Sequence, residues 1–186
     1  MMNNNKFEYF LNAVHYCIWL NDMKFGDFMG RIVNTLFSPI PKYLFTKEYK
    51  KKYYERLSEE QKKIDKFFYD KEIGYHIAWA HHWFGFFYSG YFMFLSFVLL
   101  GIPDGIFGGV NLIVATAIIA LPIALGYIPA YRAVFSKDRY LNYFKQFEKE
   151  DEQWHKKWKM ITWAFCIGAL ITMAIGFFCM AIITSV

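Results

Sequence analysis

Residues 160–183 read MITWAFCIGALITMAIGFFCMAII, without one charged side chain. As a helix at 1.5 Å per residue, this stretch reaches about 36 Å, enough to cross the ~30 Å hydrocarbon core of a bilayer. Two more runs resemble it. Residues 73–103 are free of charge, and 83–100 are their most apolar part; residues 110–131 form the other run and end at Arg132. Three such runs leave too little of a 186-residue chain to bury them. Apolar surface on that scale aggregates in water, so lipid is the expected solvent.

Charge follows the same division. All 21 Lys and Arg residues fall in two blocks, 6–71 and 132–159. The acidic residues follow nearly the same partition, with Glu72 just past the first block and Asp104 the one exception within the long uncharged stretch. A net charge of +5 would otherwise point to nucleic acid, but charge excluded from long stretches is what a hydrocarbon medium requires. Hydrophobic residues make up 56% of the chain and aromatics 22%, which also departs from a soluble domain.

The connection at 101–109 and the tail after Ile183 contain no Lys or Arg, whereas 42–71 holds ten and 132–159 holds eight. By the positive-inside rule the basic segments and the N-terminal region face the cytosol, and the tail faces out, across an inner or plasma membrane. Tyr75, Trp79 and Trp83, then Tyr127 and Tyr131, then Trp158 and Trp163 mark the expected inner boundaries of the spans as aromatic belts. Gly101 stands where a helix cap is expected, followed by a type I turn at Ile102-Pro103-Asp104-Gly105. Pro122 and Pro129 predict a bent or broken second span.

The expected fold is an all-α integral membrane protein with three transmembrane helices. It divides into a cytosolic or interfacial amphipathic region (1–72), a hairpin of two spans (73–131), a cytosolic basic helix (132–159) and a third span (160–186). Within the first region, Phe7, Phe10, Leu11, Val14 and Ile18 form one helical stripe. Phe25, Phe28, Met29, Ile32, Val33, Leu36 and Phe37 form another, and Ser38-Pro39-Ile40-Pro41 stops it. Two amphipathic helices are expected, lying on the membrane or packed on the spans. The cluster Lys50-Lys51-Lys52, beside Tyr53 and Tyr54, suits anionic lipid headgroups. Ser58-Glu59-Glu60-Gln61 reads as a capping box.

Ser136 is positioned to cap a helix, with Asp138 in its first turn. Tyr140, Phe144, Phe147, Asp151, Trp154, Trp158 and Ile161 then follow in alternating steps of four and three. This predicts one continuous helix running from the cytosol into the third span, its aromatic stripe either docking a partner helix or packing on the N-terminal helices. Inside the third span Ala164, Gly168, Thr172 and Gly176 recur every four residues, a ridge that lets a second helix approach closely. Ala120, Ala124 and Gly126 form a shorter version in the second span, and Gly85 and Ser89 in the first.

Chemistry is sparse. His76, His81 and His82 sit together in sequence but spread around a helix at 100° per residue, so no metal site is expected. Cys17, Cys166 and Cys179 lack metal-ligand spacing, and no disulfide is expected. No span carries an Asp, Glu, Lys or Arg, which argues against proton-coupled transport. Phosphate-loop, nucleophile-elbow and zinc-protease motifs are missing as well. No enzyme, cofactor, small-molecule substrate or nucleic-acid partner is therefore expected. The sequence points instead to a small membrane subunit acting by assembly, as a scaffold, anchor or accessory component in a homo- or hetero-oligomer with a basic docking face. The alternative is a homo-oligomeric pore or membrane-disrupting effector, with Asn111 and Thr116 as polar lining.

Overall fold

Why α1 is a single helix is visible in its sequence. In the computed structural model, which describes residues 6–37, 60, 63 and 65–185, it runs unbroken over Lys6–Phe37. The two expected helices are one, because residues 19–24 between the stripes contain no Gly or Pro, and the second stripe holds no stronger breaker than Gly26 and Gly30. A helical glycine costs only about 1 kcal/mol against alanine. Gly26 also has a reason to be small, since a Cβ there would lie 2.5 Å from the His76 ring.

α2 covers Tyr75–Phe107 and continues past the expected turn, with Pro103 inside it. Gly101 is not a cap and 102–105 is not a turn. Both Gly101 and Gly105 serve packing: a Cβ at Gly101 would lie 3.2 Å from Met180 Cα, and one at Gly105 would lie 2.8 Å from the Ile183 carbonyl oxygen. The chain turns instead at Gly108 (φ 66°) and Gly109 (φ 137°), conformations that only glycine adopts cheaply.

α3 covers Leu112–Ala130, opened by Asn111, whose side chain accepts from the Val114 N–H at 2.9 Å. It passes through Pro122 and Pro129 without interruption. Directly after Pro129 the backbone widens into a π turn, Tyr131–Phe135, and then tightens into a 3₁₀ turn, Ser136–Asp138. Lys137 and Asp138 both take left-handed conformations (φ 60° and 50°), so Ser136 does not cap α4. α4 covers Arg139–Phe147, and α5 covers Glu152–Thr184. The expected continuous helix is therefore two. Asp151, which interrupts the aromatic stripe, caps α5 by accepting from the Trp154 N–H at 2.7 Å.

Among the described residues these five α-helices carry the fold, and three helical runs are long and apolar enough to cross a membrane: α2, the run beginning with α3, and α5. Much of their apolar surface is exposed, including Leu121, Leu125, Leu170, Ile171 and Phe178. In a membrane protein that surface belongs to lipid.

The chain forms two compact units, one of residues up to Cys17 with His82 onward, the other of Ile18–His81. In the first, the spans interlock through small residues. Gly85 and Gly126 on α2 and α3 face Tyr127 and Phe92 respectively, and the Ser96 hydroxyl donates to the Ile119 carbonyl at 2.9 Å. Those pairings run antiparallel. Gly90 faces Ala169 and Met173, Phe94 faces Gly176, and Gly101 faces Met180, so α2 and α5 run parallel. Spans that alternate in direction give this arrangement.

In the second unit, Asp22 Oδ2 and His76 Nδ1 lie 2.6 Å apart. The Tyr69 hydroxyl donates to Asp27, and Lys71 lies over the Trp19 ring. The Asp27 carboxylate beside it, with some burial, pushes the Tyr69 phenol up to about 12. Asp70 accepts from the N–H groups of Glu72 and Ile73, which hold its carboxyl below the usual range. A Cβ on Gly74 would meet the Asp70 carbonyl oxygen at 2.2 Å, so this tight turn into α2 requires glycine.

Candidate functional site

The expected docking stripe is occupied within the chain. Tyr140, Phe144 and Phe147 are buried, and Trp154 and Trp158 are half-buried. Tyr9 meets the edges of Phe147 and Trp158 and accepts from Trp154 Nε1 at 2.9 Å. His15, fully buried, sits among the rings of Phe84, Phe135, Tyr140 and Phe144 at centroid distances of 5.3–5.6 Å. Tyr16 packs on Phe144, Phe147 and Trp154, and burial pushes its phenol up to about 12, with Glu148 and Cys17 adding to the shift. The aromatic stripe of α4 and α5 thus packs on the first stripe of α1, the second of the two placements its spacing allows.

The third-span ridge is used in part. Gly176 is buried with a prospective Cβ 2.7 Å from Phe94 Cα, and Gly168 lies under the Tyr91 hydroxyl, which donates to the Phe165 carbonyl at 2.7 Å. Thr172 donates back to the Gly168 carbonyl, while Ala164 is exposed. Ala120 and Ala124 are exposed too. The contact face is turned toward Thr162, Ala169 and Gly176, which are buried. On α2 the partners include Gly90, Gly101 and Gly105, which the sequence offered at irregular spacing.

Lys50, Lys51, Lys52 and the capping box at 58–61 lie outside the described residues, apart from Glu60. Asn111 is spent on capping α3, and the Thr116 hydroxyl donates to the Leu112 carbonyl, so both are engaged in local helix bonds. Among the described residues no three His, Cys, Asp or Glu side chains gather to hold a metal, and Cys17, Cys166 and Cys179 are not joined in disulfides.

Two surface features remain. The first is the far half of α1, where Phe25, Phe28, Met29, Ile32, Val33 and Leu36 are all exposed, Leu36 at 65%. The Asp22–His76 and Asp27–Tyr69 pairs fix this helix against residues 69–76 without covering that stripe.

The second is an open cleft of about 440 Å³ where α3 gives way to the π turn. Phe7, Pro129 and Ala133 supply apolar walls, and Glu8, Arg132, Ser136 and Arg139 supply polar ones. Arg139 Nη1 lies 3.1 Å from Glu8 Oε2. Buried Asn12 ties the wall together, its Nδ2 donating to the carbonyls of Glu8 at 2.8 Å and Ala133 at 3.0 Å. π turns and left-handed non-glycine residues are concentrated at functional sites in proteins generally, and here they adjoin one cleft. Its residues come from α1, α3, the turn beyond α3 and the start of α4, so no local pattern in the sequence marks it. No protein-family model, curated protein or solved structure matches the chain.

Proposed function

We propose that this protein is a small integral membrane subunit that acts by assembly, with its spans as anchor and the far half of α1 as the surface that receives an apolar helix of a partner subunit. The observation behind this reading is the exposed stripe from Phe25 to Leu36. Six apolar side chains on one helix face in water would cost more than they contribute, and helix-in-groove or helix-on-helix contacts are the usual way such stripes are covered.

A membrane surface is the competing cover, but charge favours a protein. Residues 18–37 hold Lys24 and Arg31 against Asp22 and Asp27, a net charge of zero. Helices that lie on anionic bilayers carry an excess of Lys and Arg on their polar face. The distribution of Lys and Arg supports placing the basic segments and the N-terminal region in the cytosol, and the tail beyond Ile183 on the far side of an inner or plasma membrane.

Photocrosslinkers at Phe28 and Leu36, activated in native membranes, test the reading. A discrete protein adduct at both positions, lost when the crosslinker is moved to Lys24, is expected. Lipid adducts alone, together with a lone monomer in mild detergent, overturn it.

A further inference from the structure

We infer that the cleft beside the π turn is a binding site for the phosphate headgroup of an anionic membrane lipid, with Arg132 and Arg139 as its cationic contacts. The inference is independent of the assembly reading and rests on the position, charge and mixed character of the cleft.

Arg132 is the first charged residue after the apolar run 110–131, so it stands where a span meets headgroups. It is exposed, faces the cleft, and has no ion-pair partner among the described residues. Arg139 gives one N–H to Glu8, and a guanidinium has five donors in a planar fork suited to phosphate oxygens. The Glu8 carboxylate is the one acid in the lining, and it competes with an incoming phosphate for the Arg139 guanidinium. With two arginines against one glutamate, the lining carries a net +1. Ser136 adds a hydroxyl that can donate to a phosphate oxygen.

The rest of the lining separates a lipid from free phosphate. Phe7 and Pro129 are apolar walls beside the arginines. A soluble anion gains nothing from them, whereas the glycerol and upper acyl carbons of a lipid bury against them. At about 440 Å³ the cleft is within the range of pockets for small organic groups and larger than a phosphate ion requires. The buried Asn12 bonds to Glu8 and Ala133 hold both walls in place before any lipid arrives.

The test uses the full chain purified in detergent with equal amounts of phosphatidylglycerol and phosphatidylcholine, and native mass spectrometry to count retained lipid. The wild type is expected to retain one phosphatidylglycerol in preference to phosphatidylcholine. Arg132→Gln should lower that retention about tenfold, the loss carried by a charge-assisted hydrogen bond. Glu8→Gln removes the competing carboxylate and should raise retention, a gain that misfolding cannot imitate. Arg31→Gln, on the far half of α1, should leave it unchanged. The inference fails if both lipids are retained equally, if Arg132→Gln retains phosphatidylglycerol like the wild type, or if Glu8→Gln lowers retention. It also fails as a lipid site if equimolar inorganic phosphate displaces the bound phosphatidylglycerol.

Discussion

Along α1, Leu11, Val14, Tyr16 and Ile18 are buried, while Phe25, Phe28, Val33 and Leu36 on the same helix are exposed. The periodicity of the two halves is alike, and the second stripe is the fuller one. What differs is the supply of neighbours. The first half meets the rings of Tyr143, Phe144, Phe147, Trp154 and Trp158. The second half is held by hydrogen bonds, Asp22 to His76 and Tyr69 to Asp27. Burying a large apolar side chain contributes about 1.5–3 kcal/mol, and a single hydrogen bond about 0.5–1.5 kcal/mol. A helix can therefore be rigidly packed at one end and only fastened at the other. A stripe says which face is apolar and leaves open what covers it.

The largest effect should come from cutting into the covered half. Phe144 is fully buried against His15 and Tyr16, so Phe144→Ala should cost about 3–5 kcal/mol as a cavity opens. Phe28→Ala, on the exposed half, should stay within about 0.5 kcal/mol. Denaturant unfolding of both variants in the same detergent checks the contrast. If Phe28→Ala proves as costly as Phe144→Ala in the isolated chain, the far stripe already has a cover and the comparison collapses.

The spans themselves were legible because charge is either present or absent over long stretches, and lipid tolerates no compromise about that. The helix ends were less legible. Pro103 and Gly105 have the composition of a turn, yet Gly101 and Gly105 are small because α5 packs against them. Gly108 and Gly109, where the chain does turn, carry no distinguishing neighbours. Asp151 was visible as a flaw in an aromatic stripe, but its meaning was local: its carboxylate serves the Trp154 N–H and divides one expected helix into two. The cleft was not legible at all, since Glu8 and Arg139 meet across more than a hundred residues and only folding brings them to 3.1 Å. The cap gives an intermediate effect on the packed side of the molecule. Asp151→Ala should cost about 1 kcal/mol, the usual loss for a helix N-cap, while Asp151→Asn should lose little. If helix content and stability are unchanged in Asp151→Ala, α4 and α5 join into the continuous helix the stripe first implied.

The smallest effects sharpen the comparison within α1, at two glycines four residues apart. A Cβ at Gly30 meets nothing within 4 Å, so Gly30→Ala removes backbone freedom from the unfolded chain and should stabilise by about 0.5–1 kcal/mol. At Gly26 the same methyl would lie 2.5 Å from the His76 ring, which Asp22 holds at 2.6 Å. Gly26→Ala must therefore displace that imidazole, and the helix-propensity gain is offset or reversed by about 1–3 kcal/mol of overpacking. Opposite signs at Gly26 and Gly30, measured by thermal unfolding, identify His76 as the point where this half of α1 is fastened. Removing the fastening with His76→Ala should then make Gly26→Ala stabilising like Gly30→Ala. If the sign at Gly26 survives that removal, its cost arises somewhere other than the histidine.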